Sequence, residues 1–348
     1  MKIFTSFGIN YMIINSLRFM KKHLLIYIFC FVSICMMCSC YQQPKNKVAK
    51  ASNIKGDLII FHAGSLAIPV KQIADAFKNE NPDVNILTET AGSVACARKI
   101  TDLGKMCDVF ISADYNVINS MLIPKYTDWN IKFASNEMAL VYNENSKYSN
   151  QINKDNWYDW LLKDDVRIGR ADPNTDPCGY RAVLTTRLAE KYYKKPNLST
   201  AILSKDKKYI RPKEVDLLAL LETGSVDYVF LYRSVAIQHN LKYIEFPDEI
   251  NLKNPDLSKL YATVDVEITG EKPGVKETVK GEPIAYGITI LNNAPNKGAA
   301  MAFVTFFLSS DKGMSIMKKN GQSSLVPSFS ETYNKIPKEL SIFARNVK

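Results

Sequence analysis

The sequence predicts an α/β protein of two lobes, each a doubly wound sheet, joined by a hinge of two crossing strands. Three observations carry this. From Asp57 onward, short β-branched or apolar runs alternate with amphipathic helical patterns. The alternation starts again after EMALVYNEN, a strand that leaves the first unit, and a late strand, PIAYGITI, returns to it. The first lobe is therefore expected over residues 56–140 plus 284–345 and the second over 141–283, with a cleft between them able to take a ligand.

In chain order, DLIIF reads as a strand and IPVKQIADAFKNENP as a helix. Ile73, Ala74 and Phe77 fall on one face of that helix, and Asn81-Pro82 stops it. VNILTET, a helix through ARKITDLGK, and CDVFISAD complete a βαβαβ unit, which calls for parallel strands. The second series runs through WYDWLL, VRIGRAD, a helix from Tyr180, LLALLETG and DYVFLYRS. EITGEKPGVKETVKGEP, rich in Lys, Glu and Gly, predicts an exposed hairpin, and AAMAFVTFFLSSDKGMSIMKK after the return strand is helical. Trp157, Tyr158 and Trp160 read as packing within the second lobe.

Ahead of this lies Met20-Lys21-Lys22, the apolar run Leu24 to Met37, and Ser39-Cys40. A charged start, a short apolar stretch and a small residue describe a secretory signal, and the run is too short to favour a membrane span. Cys40 after Ser39 resembles a lipobox, in which the thiol receives diacylglycerol and the chain is cut in front of it. Residues 1–39 are thus expected to be a lipoprotein signal peptide and 40–55 a flexible polar tether, which predicts an exported protein anchored to the membrane by lipid. Met37 departs from the usual lipobox, so an uncleaved signal anchor is the alternative.

The charge of +10 would ordinarily raise nucleic acid as a partner. Lys2, Arg18, Lys21 and Lys22 belong to the leader, however, and 41 basic residues against 35 acidic remain without it. That excess is scattered, with no basic run and no zinc-finger spacing, so no nucleic-acid site is expected. Cys30, Cys35, Cys38 and Cys40 sit in the leader region; Cys96, Cys107 and Cys178 are an odd set without CxxC spacing, neither a disulfide framework nor a metal motif.

Candidate binding residues gather at strand ends. Phe61-His62-Ala63-Gly64-Ser65-Leu66 stands where the first strand gives way to a helix, and Thr90-Ala91-Gly92-Ser93 repeats the pattern after the second. At such positions free backbone N–H groups and the positive helix end converge, Gly lets the backbone approach an anion, and Ser adds a hydroxyl donor. The same residues also fit an ordinary N-cap after a turn. Arg170-Ala171-Asp172-Pro173-Asn174-Thr175-Asp176-Pro177-Cys178-Gly179-Tyr180-Arg181 ends a second-lobe strand, with Asp176-Pro177 placed as cap and first turn of a helix.

FHAGSL, AGSVACARKI, ADPNTDPCGYR, RPKE at Arg211 to Glu214, DYVFLYRSVAIQHNLKYIEFP and PIAYGITI together resemble the WtpA family of tungstate/molybdate-binding proteins, the substrate-binding components of ABC transporters. In order, these motifs cover nearly all of the chain from Asp57 to about residue 330. The resemblance implies a type II periplasmic-binding-protein fold that holds the oxyanion between its lobes and hands it to a permease and its ATPase. It implies a monomer with no resident cofactor, tungstate or molybdate being the ligand. Gly64, Ser65 and Ser93 match the family's first-lobe donors, and Asp176, Pro177 and Cys178 its second-lobe loop. Glu214 matches the second carboxylate and Tyr232 the tyrosine of the site.

Two carboxylates in an anion site look wrong, since like charges in a dry cleft repel. They make sense if they reach the metal: hexavalent W or Mo is a hard centre, and Asp176 and Glu214 would add to four oxo groups to complete six-coordination. Sulfur cannot expand its shell in this way, so the same pair would reject sulfate and phosphate. A binding protein for another oxyanion such as sulfate or phosphate is the alternative within the same class, and an exported hydrolase using Ser65 or Cys178 is the competing reading from another. It would need a general base, and neither His62 nor His239 has a catalytic partner in view; Ser65 also lacks a GxSxG elbow. No enzymatic activity is expected.

Overall fold

The computed structural model describes residues 54–205, 207–270 and 274–347. The expected signal, Cys40 and the tether up to residue 53 lie outside the described residues, and no described helix is long and apolar enough to cross a membrane.

The first lobe begins with β1 (Gly56–Ala63), α1 (Ala67–Glu80), β2 (Val84–Ala91), α2 (Ser93–Thr101), β3 (Val109–Ser112) and β4 (Ile131–Ser135). The chain then passes through Asn136-Glu137 into β5 (Met138–Tyr142), β6 (Ile168–Ala171), α3 (Pro177–Tyr192), β7 (Ile210–Arg211), α4 (Asp216–Glu222), β8 (Tyr228–Tyr232), α5 (Arg233–Gln238) and β9 (Lys242–Glu245). β10 (Asp265–Thr269) and β11 (Lys276–Lys280) form the antiparallel hairpin expected of the Lys/Glu/Gly segment. β12 (Ala285–Ile290), α6 (Lys297–Leu308), α7 (Gly313–Lys319) and β13 (Ser323–Ser324) return to the first lobe.

The first sheet has the order β13-β4-β12-β3-β1-β2 and the second β7-β6-β8-β5-β9. β1 pairs in parallel with β2 and β3, as the βαβαβ reading requires, but β12 runs antiparallel to β3 and β4, so the sheet is mixed. A return strand that comes in from the other lobe is not bound by the handedness of a βαβ crossover. The expected boundary at residue 140 is corrected: it cuts β5, yet every residue of MALVY is buried, and the strand pairs with β8 and β9. The chain therefore leaves the first sheet at Ser135.

Packing follows the periodicity. Ile73, Ala74 and Phe77 are buried, and the Phe77 ring meets Phe303 and Phe306 of α6 edge-on at 5.4 and 5.5 Å. In the second lobe Trp157 is fully buried against Phe246, with ring centroids 4.8 Å apart. The long helix expected near the C-terminus is two, α6 and α7, separated by the polar turn at residues 309–312.

Candidate functional site

Gly64-Ser65 opens the turn after β1, and Gly92-Ser93 is the N-terminus of α2 after β2. Because Ala63 pairs with Ala91 in the parallel register, the two Gly-Ser turns stand side by side at one sheet edge. Across the cleft, Asp176 caps α3, with Oδ1 accepting the Cys178 N–H at 2.8 Å. Its Oδ2 accepts the Glu214 N–H at 2.9 Å and so ties the β6–α3 loop to the residue two places before α4. The capping signal puts α3 at Pro177 rather than Tyr180.

The glycines are what let the lobes meet. A β-carbon on Gly64 would stand 3.1 and 3.2 Å from the two carboxylate oxygens of Glu214, and one on Gly92 would overlap the Thr175 carbonyl and crowd Asp176. At that point the Ala95 N–H of the first lobe donates to Thr175 O of the second at 3.2 Å. Seven of the sequence's candidates thus come from both lobes to one enclosed spot, or frame it: Gly64, Ser65, Ser93, Asp176, Pro177, Glu214 and, at the end of β8, Tyr232 are all buried.

The electrostatics are unusual for so dry a place. Glu214 is 1% exposed; no donor meets its carboxylate oxygens in hydrogen-bond geometry among the described residues, although the Ser65 hydroxyl and the Asp176 carboxyl stand close enough to act on its charge. Burial, then the charge of Asp176, push its proton affinity well above the usual carboxylate range. Asp176 is raised as well, chiefly by burial, although the Glu214 carboxyl and the Cys178 and Glu214 N–H groups favour its charged form. A buried acceptor pair left bare costs free energy unless something supplies a donor or a positive centre.

The model of the family described as bacterial extracellular solute-binding protein matches residues 58–322. The chain belongs to that family. Within it, the chain is 47% identical over 296 residues to an uncharacterized solute-binding protein of Petrotoga mobilis, with 85% of this chain and 92% of the relative covered. It is 43% identical over 310 residues to the molybdate/tungstate-binding protein WtpA of Pyrococcus abyssi, with 81% of this chain and 88% of the relative covered. These similarities place it with the WtpA proteins, as its motifs led one to expect. Among solved structures, the periplasmic molybdate-binding protein of Azotobacter vinelandii shares the two-lobed fold at a TM-score of 0.54 and 15% identity, over 76% of this chain and 98% of that one.

In this solute-binding protein several of the candidates already have partners within the fold. Ser65 Oγ lies 3.3 Å from the Tyr286 hydroxyl, and Ser93 Oγ accepts the Ala113 N–H at 2.9 Å, each hydroxyl keeping bonding capacity. Cys178 gives its N–H to Asp176 and turns its thiol toward Phe230 O at 3.7 Å, and burial pushes that thiol well above its ordinary range, which is wrong for a nucleophile. His62 bonds Ala63 O through Nδ1 at 2.9 Å and is pushed down to about 4 by burial. Cys96, Cys107 and Cys178 are all free and buried.

Sequence reasoning missed the groups that support the site. Arg181 of α3 is buried and donates through Nη1 to Tyr232 OH at 2.8 Å and to Ala113 O at 2.7 Å. Asn136, in the crossing segment, donates to Ser234 Oγ and Tyr286 OH, both at 2.7 Å. Arg181 was visible as the last residue of ADPNTDPCGYR, and Asp114 as the third strand end after Gly64 and Gly92; nothing in the sequence marks Asn136 or Tyr286 as belonging beside them. The solute-binding protein also has an open cleft of about 600 Å³ between Asp114, Asn116 and Tyr180 on one side and the hairpin with Glu282 on the other. The lining of this cleft includes none of the paired glycine and serine donors.

Proposed function

We propose that this protein captures tungstate or molybdate between its lobes and delivers it to an ABC importer, made of a permease and its ATPase, from outside the cytoplasmic membrane. Cys40 carries the lipid that keeps it there, and the protein acts as a monomer. The single observation behind this reading is Glu214: two buried oxygens that no donor meets in hydrogen-bond geometry among the described residues, beside Asp176 and against Gly64. Sulfate or phosphate asks for donors and would be repelled by such a pair. A hexavalent metal centre asks for oxygen ligands, so Glu214 and Asp176 complete its coordination while Ser65, Ser93, Tyr232 and the N–H groups of the Gly-Ser turns hold the oxo groups. The WtpA relative of Pyrococcus abyssi, a molybdate/tungstate-binding protein, supports the same assignment.

Micromolar tungstate is expected to raise the melting temperature of the purified protein by several degrees, since a ligand of the native state stabilises by RT ln(1 + [L]/Kd). Sulfate at the same concentration is expected to do little. Equal shifts from both ions would make it a general oxyanion receptor and overturn the assignment.

A further inference from the structure

Arg181 is a buried cation whose charge acts on Asp176 and which has partners in both lobes. It projects from α3 in the second lobe, yet Nη1 donates to Ala113 O of the first lobe, and Nη2 lies 3.0 Å from Asp114 Oδ2 as an ion pair without hydrogen-bond alignment. The same Asp114 oxygen accepts the Tyr180 hydroxyl at 2.5 Å, again from the second lobe, while Oδ1 caps Asn116 N inside its own lobe at 2.9 Å. Within the second lobe, Nη1 also donates to the Tyr232 hydroxyl at 2.8 Å.

Two consequences follow from these donor directions. A guanidinium and a carboxylate, 2% and 3% exposed, lose their hydration only when the lobes are together, and each then depends on the other for compensation. The Tyr232 oxygen, already an acceptor from Arg181, keeps its own proton for another acceptor; burial raises that hydroxyl's proton affinity well above the ordinary range, so it stays a donor.

We propose that Arg181 is a positioning residue that couples ligand capture to closure of the cleft, aiming the Tyr232 hydroxyl at the oxyanion from within its own lobe and clasping Ala113 and Asp114 of the other. The Tyr232 half of this rests on the oxyanion reading given above; the clasp does not. A free guanidinium swung away from Asp114 leaves the phenol unheld, so opening the lobes loosens one ligand donor as it breaks the clasp.

Two readouts test it. The Ala95 N–H, bonded to Thr175 O across the cleft, reports closure by amide hydrogen exchange with no ligand present. Asp114→Asn keeps the Asn116 cap but removes the charge. It is expected to speed exchange at Ala95 about tenfold while exchange in β3 stays unchanged, and to raise the tungstate dissociation rate about tenfold. Tyr232→Phe is expected to weaken tungstate about tenfold and Arg181→Met, which also breaks the clasp, by more, and the double variant no more than Arg181→Met alone, because Tyr232 acts only while Arg181 holds it. Arg181→Lys, which keeps the charge but not the fork, should fall between wild type and Arg181→Met and replaces it if the latter does not fold.

Unchanged exchange at Ala95 in Asp114→Asn overturns the clasp, and independent, multiplying losses in the double variant overturn the positioning of Tyr232. A wild-type protein that binds no tungstate at all overturns the oxyanion reading instead, and the clasp is then decided by exchange at Ala95 alone.

Discussion

Asp176 holds Glu214 by its backbone: Oδ2 of the one accepts the N–H of the other at 2.9 Å, while Oδ1 is spent on the cap of α3. The two carboxylates therefore differ in kind. Asp176 has a backbone donor on each oxygen and fastens two loops together, whereas Glu214 has its side-chain oxygens bare. The pair is preorganised by an interaction that touches no ligand.

Substitutions should separate these roles. Asp176→Asn leaves one acceptor oxygen for two backbone N–H groups and is expected to cost about 1–3 kcal/mol of stability as well as weakening tungstate. Glu214→Gln removes a carboxyl whose ionisation burial and Asp176 penalise, so the ligand-free melting temperature should hold or rise while the shift produced by tungstate shrinks. Scanning fluorimetry with and without tungstate checks both. If each variant responds to tungstate as wild type does, the carboxylates do not meet the metal.

Selectivity should reside in the same pair. The double variant Asp176→Asn, Glu214→Gln is expected to narrow the preference for tungstate over sulfate, because it removes both the metal ligands and the repulsion of an anion that cannot use them. Competition calorimetry with the two ions measures the ratio, and an undiminished ratio would place selectivity elsewhere.

Closure should fail at Gly92 before it fails at Gly64. Gly92 has φ −58°, which any residue tolerates, so Gly92→Ala should leave each lobe folded; its new methyl, however, meets the Thr175 carbonyl, which is backbone and cannot swing aside. Gly64→Ala meets the movable end of Glu214. Affinity for tungstate, measured by calorimetry, is expected to fall more than tenfold for the first and by less for the second. A larger loss at Gly64 would show that Glu214, not the backbone, limits the approach.

Stability should respond to pH from two opposed directions. Burial, and then the charge of Asp114, push Glu282 up from 4.5 to about 7. The native chain then holds this proton more tightly than the unfolded chain, so the contribution is full below pH 4.5 and is lost as pH rises to about 7. His62 is the reverse: pushed down from 6.5 to about 4 by burial, it contributes above pH 6.5 and loses that contribution as pH falls. Melting curves against pH should flatten on the rising-pH side in Glu282→Gln and on the acid side in His62→Gln; unaltered slopes would mean that neither group changes affinity on folding.

Much of the fold was legible because periodicity and capping are local. The face of Ile73, Ala74 and Phe77, the strand ends at Gly64 and Gly92, and the cap at Asp176 could each be read within a few residues. The β5 boundary was misplaced because a run buried on both faces carries no mark of which sheet will take it. The antiparallel direction of β12 was hidden for the same reason, since direction belongs to the route of the chain and not to PIAYGITI.

By itself the sequence determined two α/β lobes and the paired Gly-Ser turns, since side-chain chemistry and backbone freedom are written one residue at a time, and only its resemblance to the WtpA family pointed to Asp176 and Glu214 as the acidic pair. Only the tertiary structure decided that Asp176 spends both oxygens on backbone N–H groups, that Glu214 keeps its pair bare against Gly64, and that Arg181 spans the cleft to Ala113 and Asp114. Apart from the local cap on Cys178, those contacts join residues far apart in the sequence, 38 positions for Asp176 and Glu214 and 68 for Arg181 and Ala113, and desolvation acts on such groups only once the chain has brought them together.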